Sequence, residues 1–194
     1  MIEIVTKAYT FEELGEQEQQ VALDNNRDYN VSRDQWYEFV EEGFVRDLQD
    51  KGFLNIEIAF SGFWRQGDGA SFTADIDIHK MNEYYKLGLK KSVCDIINEY
   101  CCPRVRRGTS RYSHEHTCSI DWDGFGHYNH CPRLEKLIEN TMNTIEGIRL
   151  DLSKELYSNL EGEYNHLTSD AVIKKVLVEN DYLFTINGKN HPFA

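Results

Sequence analysis

The chain has 194 residues, 22.7 kDa, and a formal net charge of −12, with 40% hydrophobic and 12% aromatic residues and three prolines. This composition excludes disordered and collagen-like chains, and no apolar run approaches the ~20 residues that span a bilayer. The length suits one well-buried core, so a single domain over 1–194 is expected. The five cysteines suit a reducing compartment better than a disulfide framework, and the first residues, MIEIVTKAYTFEEL, lack the basic and apolar regions of a secretory signal. A soluble cytoplasmic protein is expected, with no membrane partner and no direct nucleic-acid partner, because its charge opposes both.

In chain order, Ile2 and Ile4 against Val5 suggest a short first strand. Thr10-x-x-Glu13 is a capping box that opens a helix running to about Asn25-Asn26, on a thin stripe of Leu14, Val21 and Ala22. Ser32-x-x-Gln35 repeats the device, and Trp36, Val40, Phe44 and Leu48, widened by Phe39 and Val45, predict a second helix that Gly52 closes. From Asn55 to Ile78 two segments alternate: Ile56, Ile58 and Phe60, then Phe72, Ala74, Ile76 and Ile78, with Asp75 and Asp77 as outward acids. These predict an antiparallel hairpin whose turn carries Phe63, Trp64, Arg65 and Gln66 between Gly62 and Gly67-Asp68-Gly69.

Met81 to Tyr100 shows helical spacing, mildly interrupted at Gly88 and stopped by Pro103. An arginine-rich loop then leads to RYSHEHTCSIDW, residues 111–122, whose alternation predicts a strand. Pro132 begins a long helix on Leu134, Ile138, Met142, Ile145, Ile148, Leu152, Leu156, Leu160 and Tyr164, with Gly147 a possible kink. A short helix near 171–178, an edge strand over 182–185 and an Asn187-Gly188 turn complete the chain. The order predicts an α+β fold: a mainly antiparallel sheet covered by helices, with one long helix in the C-terminal half.

Four features carry chemistry. Residues 11–50 set twelve acids against three arginines, a balance of −9, which reads as solvated helix faces or as a docking surface for a basic protein, with Glu38 and Glu42 as candidates. The hairpin tip reads as a structural turn or as a recognition site formed by Trp64, Arg65, Gln66 and Asp68; its order is that of no phosphate loop. Arg104, Arg106, Arg107 and Arg111 have the donors to hold an anion, or form a solvated basic loop. His114, His116 and Cys118, with His127, His130 and Cys131, have zinc-ligand chemistry, but their spacing is not that of a common zinc module. No metal or other cofactor is expected, and no nucleophile motif marks an enzyme.

The segment FSGFWRQGDGASF, residues 60–72, resembles a family of small bacteriophage and prophage proteins in which FSGF-x-x-QGDGASF recurs. The resemblance extends to the Trp36 helix, to Tyr112-Ser113-His114 and to the tail around LEGEYNHLTSDAVIKKVL. It implies a mobile-element origin and transfers no catalytic residues. Together with the charge, it raises the expectation of an acidic anti-defence, anti-CRISPR or antitoxin-like protein that occupies a basic host protein in the host cytoplasm. The alternative is a nucleotide-binding or metal-dependent protein using the Arg104–Arg111 and His114–His130 regions.

Overall fold

A computed structural model describes residues 7–32, 35–123 and 131–192. The expected first strand, Asp34 of the acidic run, and His127 and His130 lie outside the described residues. The fold is α+β. The chain forms two compact units, Phe39–Glu161 and the pair of segments Met1–Glu38 and Gly162–Ala194.

The first unit holds a four-stranded antiparallel sheet of β1 (Phe53–Phe60), β2 (Ala70–Ile76), β3 (Arg104–Arg107) and β4 (Cys118–Asp121), in that spatial order. The predicted hairpin is β1–β2, with Ile58 opposite Phe72 and Phe60 opposite Ala70. Phe72, Ala74, Ile76 and Val105 are buried, whereas Ile58, Phe60 and Ile120 on the same face are half-buried. The other face carries Glu57, Arg104, Arg106, Ser119 and Asp121, all exposed. A bulge between Leu54 and Glu57 interrupts the register, and Asn55 there adopts φ 51°.

α2 (Glu38–Asp50) lays Phe44 edge-on against Phe72, at 6.3 Å between ring centroids. Phe39, expected on its apolar stripe, is instead 77% exposed, and Trp36 precedes the helix. Gly52 ends this element as predicted. It sits at φ 101°, where a Cβ would come within 2.9 Å of the Met81 amide, so only glycine fits.

The predicted helix over 81–100 is two helices, α3 (Ile78–Tyr85) and α4 (Lys91–Ile96), the second continuing as one π turn to Cys101. Lys86 at φ 55° and Gly88 at φ 74° break the chain between them, and the Asn82 side chain pins the break by bonding both the amide and the carbonyl of Leu89. Asp77 and Ile78 are not strand residues. Asp77 caps α3, its Oδ1 accepting from the His79 amide at 2.9 Å and from Asn98 Nδ2 at 3.3 Å, while Asn98 Oδ1 accepts from the Ile78 amide.

The arginine stretch expected as a loop is β3, and the strand expected over 111–122 is reduced to β4. Residues 115–117 form a 3₁₀ turn because the Thr117 hydroxyl donates to the His114 carbonyl at 2.7 Å, drawing the chain out of extension. α5 (Pro132–Leu167) is 36 residues long, starts at Pro132 as predicted and is unbroken at Gly147.

In the second unit, α1 (Glu16–Asn25) follows a 3₁₀ turn at Phe11–Glu13, where Thr10 and Glu13 form the capping expected of a longer helix. α6 (Asp170–Glu179) completes a core of Phe11, Leu14, Ala22, Leu23, Ile173, Leu177 and Phe184. Among the described residues the tail pairs at isolated bridges, Tyr9 with Phe184 and Phe184 with Asn190, in place of an edge strand. Arg27 ties this unit by reaching Asp24, Asp170 and the Thr168 carbonyl. Its guanidinium holds the Asp24 carboxyl below the usual carboxylate range.

Because Asp77 is a cap rather than an outward strand acid, Asp77→Ala should cost about 1–2 kcal/mol of stability. Ile76→Asp, which places a charge in the core, should unfold the domain. Urea melts followed by circular dichroism check both; equal midpoints for Asp77→Ala and wild type would contradict the cap.

Candidate interaction site at the hairpin tip

The β1–β2 turn is long, and its own chemistry holds it in shape. The Ser61 amide donates to the Gly69 carbonyl at 3.1 Å, closing the base, and Asp68 Oδ2 accepts the Arg65 amide at 2.9 Å, fixing the tip. Phe63 turns inward onto Phe60 (5.0 Å) and onto Tyr157 of α5 (5.5 Å). Trp64, next in sequence, stays 65% exposed, and its indole N–H donates to Glu161 of α5 at 3.1 Å. Its backbone sits at φ 64°, a left-handed conformation unusual for a bulky residue and one that costs on the order of 1–3 kcal/mol. Burial, followed by the Glu161 carboxylate, pushes the Tyr157 phenol up, while a hydrogen bond from the Trp64 backbone acts in the opposite sense.

The turn is seated on residues that the sequence reading placed elsewhere. A Cβ on Gly67 would lie 2.3 Å from the Tyr112 ring, and one on Gly69 would lie 2.5 Å from His114 Cβ and 2.8 Å from the Ser113 carbonyl. The glycines of the motif are therefore points of close approach between the hairpin and the 112–114 segment. That segment is itself tied down: Arg107 Nη2 donates to the Tyr112 carbonyl (3.0 Å) and to Ser113 Oγ (2.9 Å), and the Gly108 amide donates to the Thr117 carbonyl (2.8 Å). Beneath it the Thr117 hydroxyl reaches Ser71 Oγ at 3.4 Å, both residues being buried.

Behind the turn lies a buried charge. Arg149 of α5 is 1% exposed and uses three nitrogens: Nε and Nη2 on Glu146, at 3.1 and 2.6 Å, and Nη1 on the Glu115 carbonyl at 2.7 Å. Glu146 Oε2 also accepts the Ile120 amide at 3.0 Å. One turn further on, the buried Ser153 hydroxyl has no partner among the described residues.

The structure brings only some of the sequence candidates together. Trp64, Arg65, Gln66 and Asp68 share the tip, with Arg65 and Gln66 exposed. Glu38 and Glu42 lie one turn apart on α2, both exposed. The four arginines do not converge: Arg104 pairs with Asp75 (3.3 Å) and Arg106 with Asp121 (3.1 Å) on the outer sheet face, Arg107 holds Tyr112 and Ser113, and Arg111 donates to the Tyr112 hydroxyl. The His114 and His116 rings stand 6.0 Å apart, but His114 Nδ1 accepts the His116 amide, Cys118 is buried and Cys131 is exposed. Among the described residues no group of three or more His, Cys, Asp or Glu could hold a metal ion, and no helix is long and apolar enough to cross a membrane. A depression of about 520 Å³ between α2 and α3, lined by Gln49, Asp50, Lys80, Glu83, Tyr84 and Lys86, has mixed charge.

Residues 36–170 match the sequence profile of a family described as Domain of unknown function (DUF8835). The chain belongs to that family. No curated protein and no solved structure matches it. The DUF8835 region contains the whole sheet, the hairpin tip, the 112–117 seat and the Arg149–Glu146 pair.

Sequence reasoning missed Tyr157, Glu161, Arg149 and Glu146. An arginine on the apolar stripe of a long helix, three residues after a glutamate, is the available signal for a buried pair. Arg149→Met should cost about 3 kcal/mol or more by leaving Glu146 without its partner, whereas Ser153→Ala should be neutral or stabilise by up to ~1 kcal/mol. Gly69→Ala should destabilise through its backbone clash at Ser113. Thermal melts of the three variants test this order, and an Arg149→Met protein as stable as wild type would contradict it.

Proposed function

We infer that this chain is a phage-encoded, non-catalytic binding protein that occupies a host defence or nucleic-acid-handling protein with a basic surface, using the β1–β2 tip as its anchor. The observation that carries this reading is Trp64, a large aromatic side chain held mostly exposed on a strained backbone by a seat built from three other segments. Backbone strain persists where surrounding structure imposes it and clusters at functional positions. Tryptophan and arginine are also the residue types most enriched at binding hot spots, and Arg65 is exposed beside Trp64. The −12 charge complements a basic partner and favours fast, salt-dependent encounter. The phage origin rests on the motif at residues 60–72, and a host cytoplasmic location follows from it.

Trp64→Gly tests the anchor. Glycine adopts φ 64° without strain, so this variant should melt within about 1 kcal/mol of wild type, the relief offsetting the lost Phe63 and Glu161 contacts. It should nevertheless lose partner capture from host lysate by a hot-spot margin of about 2 kcal/mol or more, roughly thirtyfold in affinity. Glu38→Lys with Glu42→Lys should slow association chiefly at low salt, as read by biolayer interferometry on the captured partner. A folded Trp64→Gly protein that captures the same partner with unchanged affinity would sink the reading.

A further inference from the structure

The two edges of the sheet are finished differently. At the β4 edge, the Ile120 amide is taken by Glu146, which Arg149 holds in place, so that edge is closed by α5. At the β1 edge no such device occurs among the described residues. The ladder fixes which backbone groups face outward there. The Ser61 amide bonds the Gly69 carbonyl, and Ala59 and Glu57, opposite Ser71 and Thr73, follow at the same parity, so their polar groups point into the sheet. The β2–β3 side agrees: the Ile76 amide bonds the Pro103 carbonyl, leaving the odd residues of β2 to face β1. The amide and carbonyl of Ile58 therefore point away from the sheet, and no hydrogen-bond partner for them occurs among the described residues. An edge of this kind is a template for another strand.

We propose that β1 pairs with β1 of a second copy of this chain, antiparallel about a two-fold axis at Ile58, joining two four-stranded sheets into one of eight strands. Geometry selects the occupant and the register. The regular register of β1 runs Glu57–Phe60, between the bulge that holds Asn55 (φ 51°) and Ile56 and the turn beginning at Ser61, and Ile58 lies within it. A two-fold axis at Ile58 pairs the regular residues Glu57, Ile58 and Ala59 of the two copies. It sets Ile58 opposite Ile58 and Ile56 opposite Phe60 on the half-buried face, so apolar side chains meet apolar ones. On the outer face it sets Glu57 opposite Ala59. An axis at Glu57 would instead place two carboxylates face to face, which is destabilising. A two-fold contact must be self-complementary, and Glu57-Ile58-Ala59 is, about an axis at Ile58.

The full-length chain tests this by sedimentation velocity over a concentration series. Wild type should sediment as a dimer. Ile58→Pro removes an outward amide while leaving the β1–β2 ladder bonds intact, and should yield a folded monomer with an unchanged far-ultraviolet spectrum. In a Cys131→Ser background, Ile58→Cys should cross-link to a covalent dimer on mild oxidation, because opposed hydrogen-bonded residues lie ~5.5 Å apart between Cα atoms, within disulfide reach. Glu57→Cys, displaced from the axis, should not. A wild-type monomer at every concentration, a folded Ile58→Pro dimer, or cross-linking through Glu57→Cys in preference to Ile58→Cys would overturn the proposal. If Ile58→Pro fails to fold, the two cysteine variants decide it.

Discussion

The sheet unit depends on one buried arginine, Arg149, and the half-buried Glu146 that pairs with it. A guanidinium removed from water is tolerated only when its donors are matched, and Arg149 matches three nitrogens to two acceptor groups, the Glu146 carboxylate and the Glu115 carbonyl. The same carboxylate takes the outward amide of β4. One pair thus joins α5, the 115–117 turn and the sheet edge. From that turn the order passes outward, through the Thr117–Ser71 contact to β2 and through His114 and Tyr112 to the glycines beneath Trp64. The hairpin tip is seated at the end of this chain of contacts.

That dependence explains what was legible in the sequence. The β1–β2 hairpin and the helix beginning at Pro132 follow from period and turn chemistry, which are local. β3 was not legible, since Arg104-Val105-Arg106-Arg107 has a single apolar residue and owes its extension to partners on both sides. Residues 112–117 alternate on paper, yet the Thr117 side chain and the seat for Gly67 and Gly69 override that pattern. Asp77 continues an alternating run until Asn98, twenty-one residues on, completes a cap around it. The break after Tyr85 similarly rests on Asn82 reaching Leu89, which hydrophobic spacing does not register. In each case a side chain distant in sequence or absent from the periodic stripe decided the backbone.

The candidate site was half legible for a related reason. The residues proposed as the anchor lie in one contiguous loop, visible as Trp64-Arg65-Gln66 between Gly62 and Gly67. The residues that hold the loop come from β3, the 112–117 segment and α5. Gly67 and Gly69 were the visible trace of that support: Gly67 adopts φ 88° against the Tyr112 ring, and Gly69, which has no positive φ to explain it, marks the close approach of Ser113 and His114.

Burial sets the protonation of several ionisable groups. A thiol becomes a nucleophile when its surroundings lower its pKa, but burial pushes the Cys94 thiol up and raises Cys101 to about 11, keeping both protonated. Tyr85 is likewise raised to about 12 by burial and its acidic neighbours. These shifts hold the three groups in their neutral forms at neutral pH. At the tip the physical provision is of another kind. Trp64 is restrained in the folded chain by its Glu161 contact, by the Asp68 bond to the Arg65 amide and by the packing of Phe63, so under the proposed binding role little further ordering would be required of it. On that proposal, strain that costs stability in the free protein would serve as preorganisation, a reason for a tryptophan to occupy a conformation that glycine would adopt more easily.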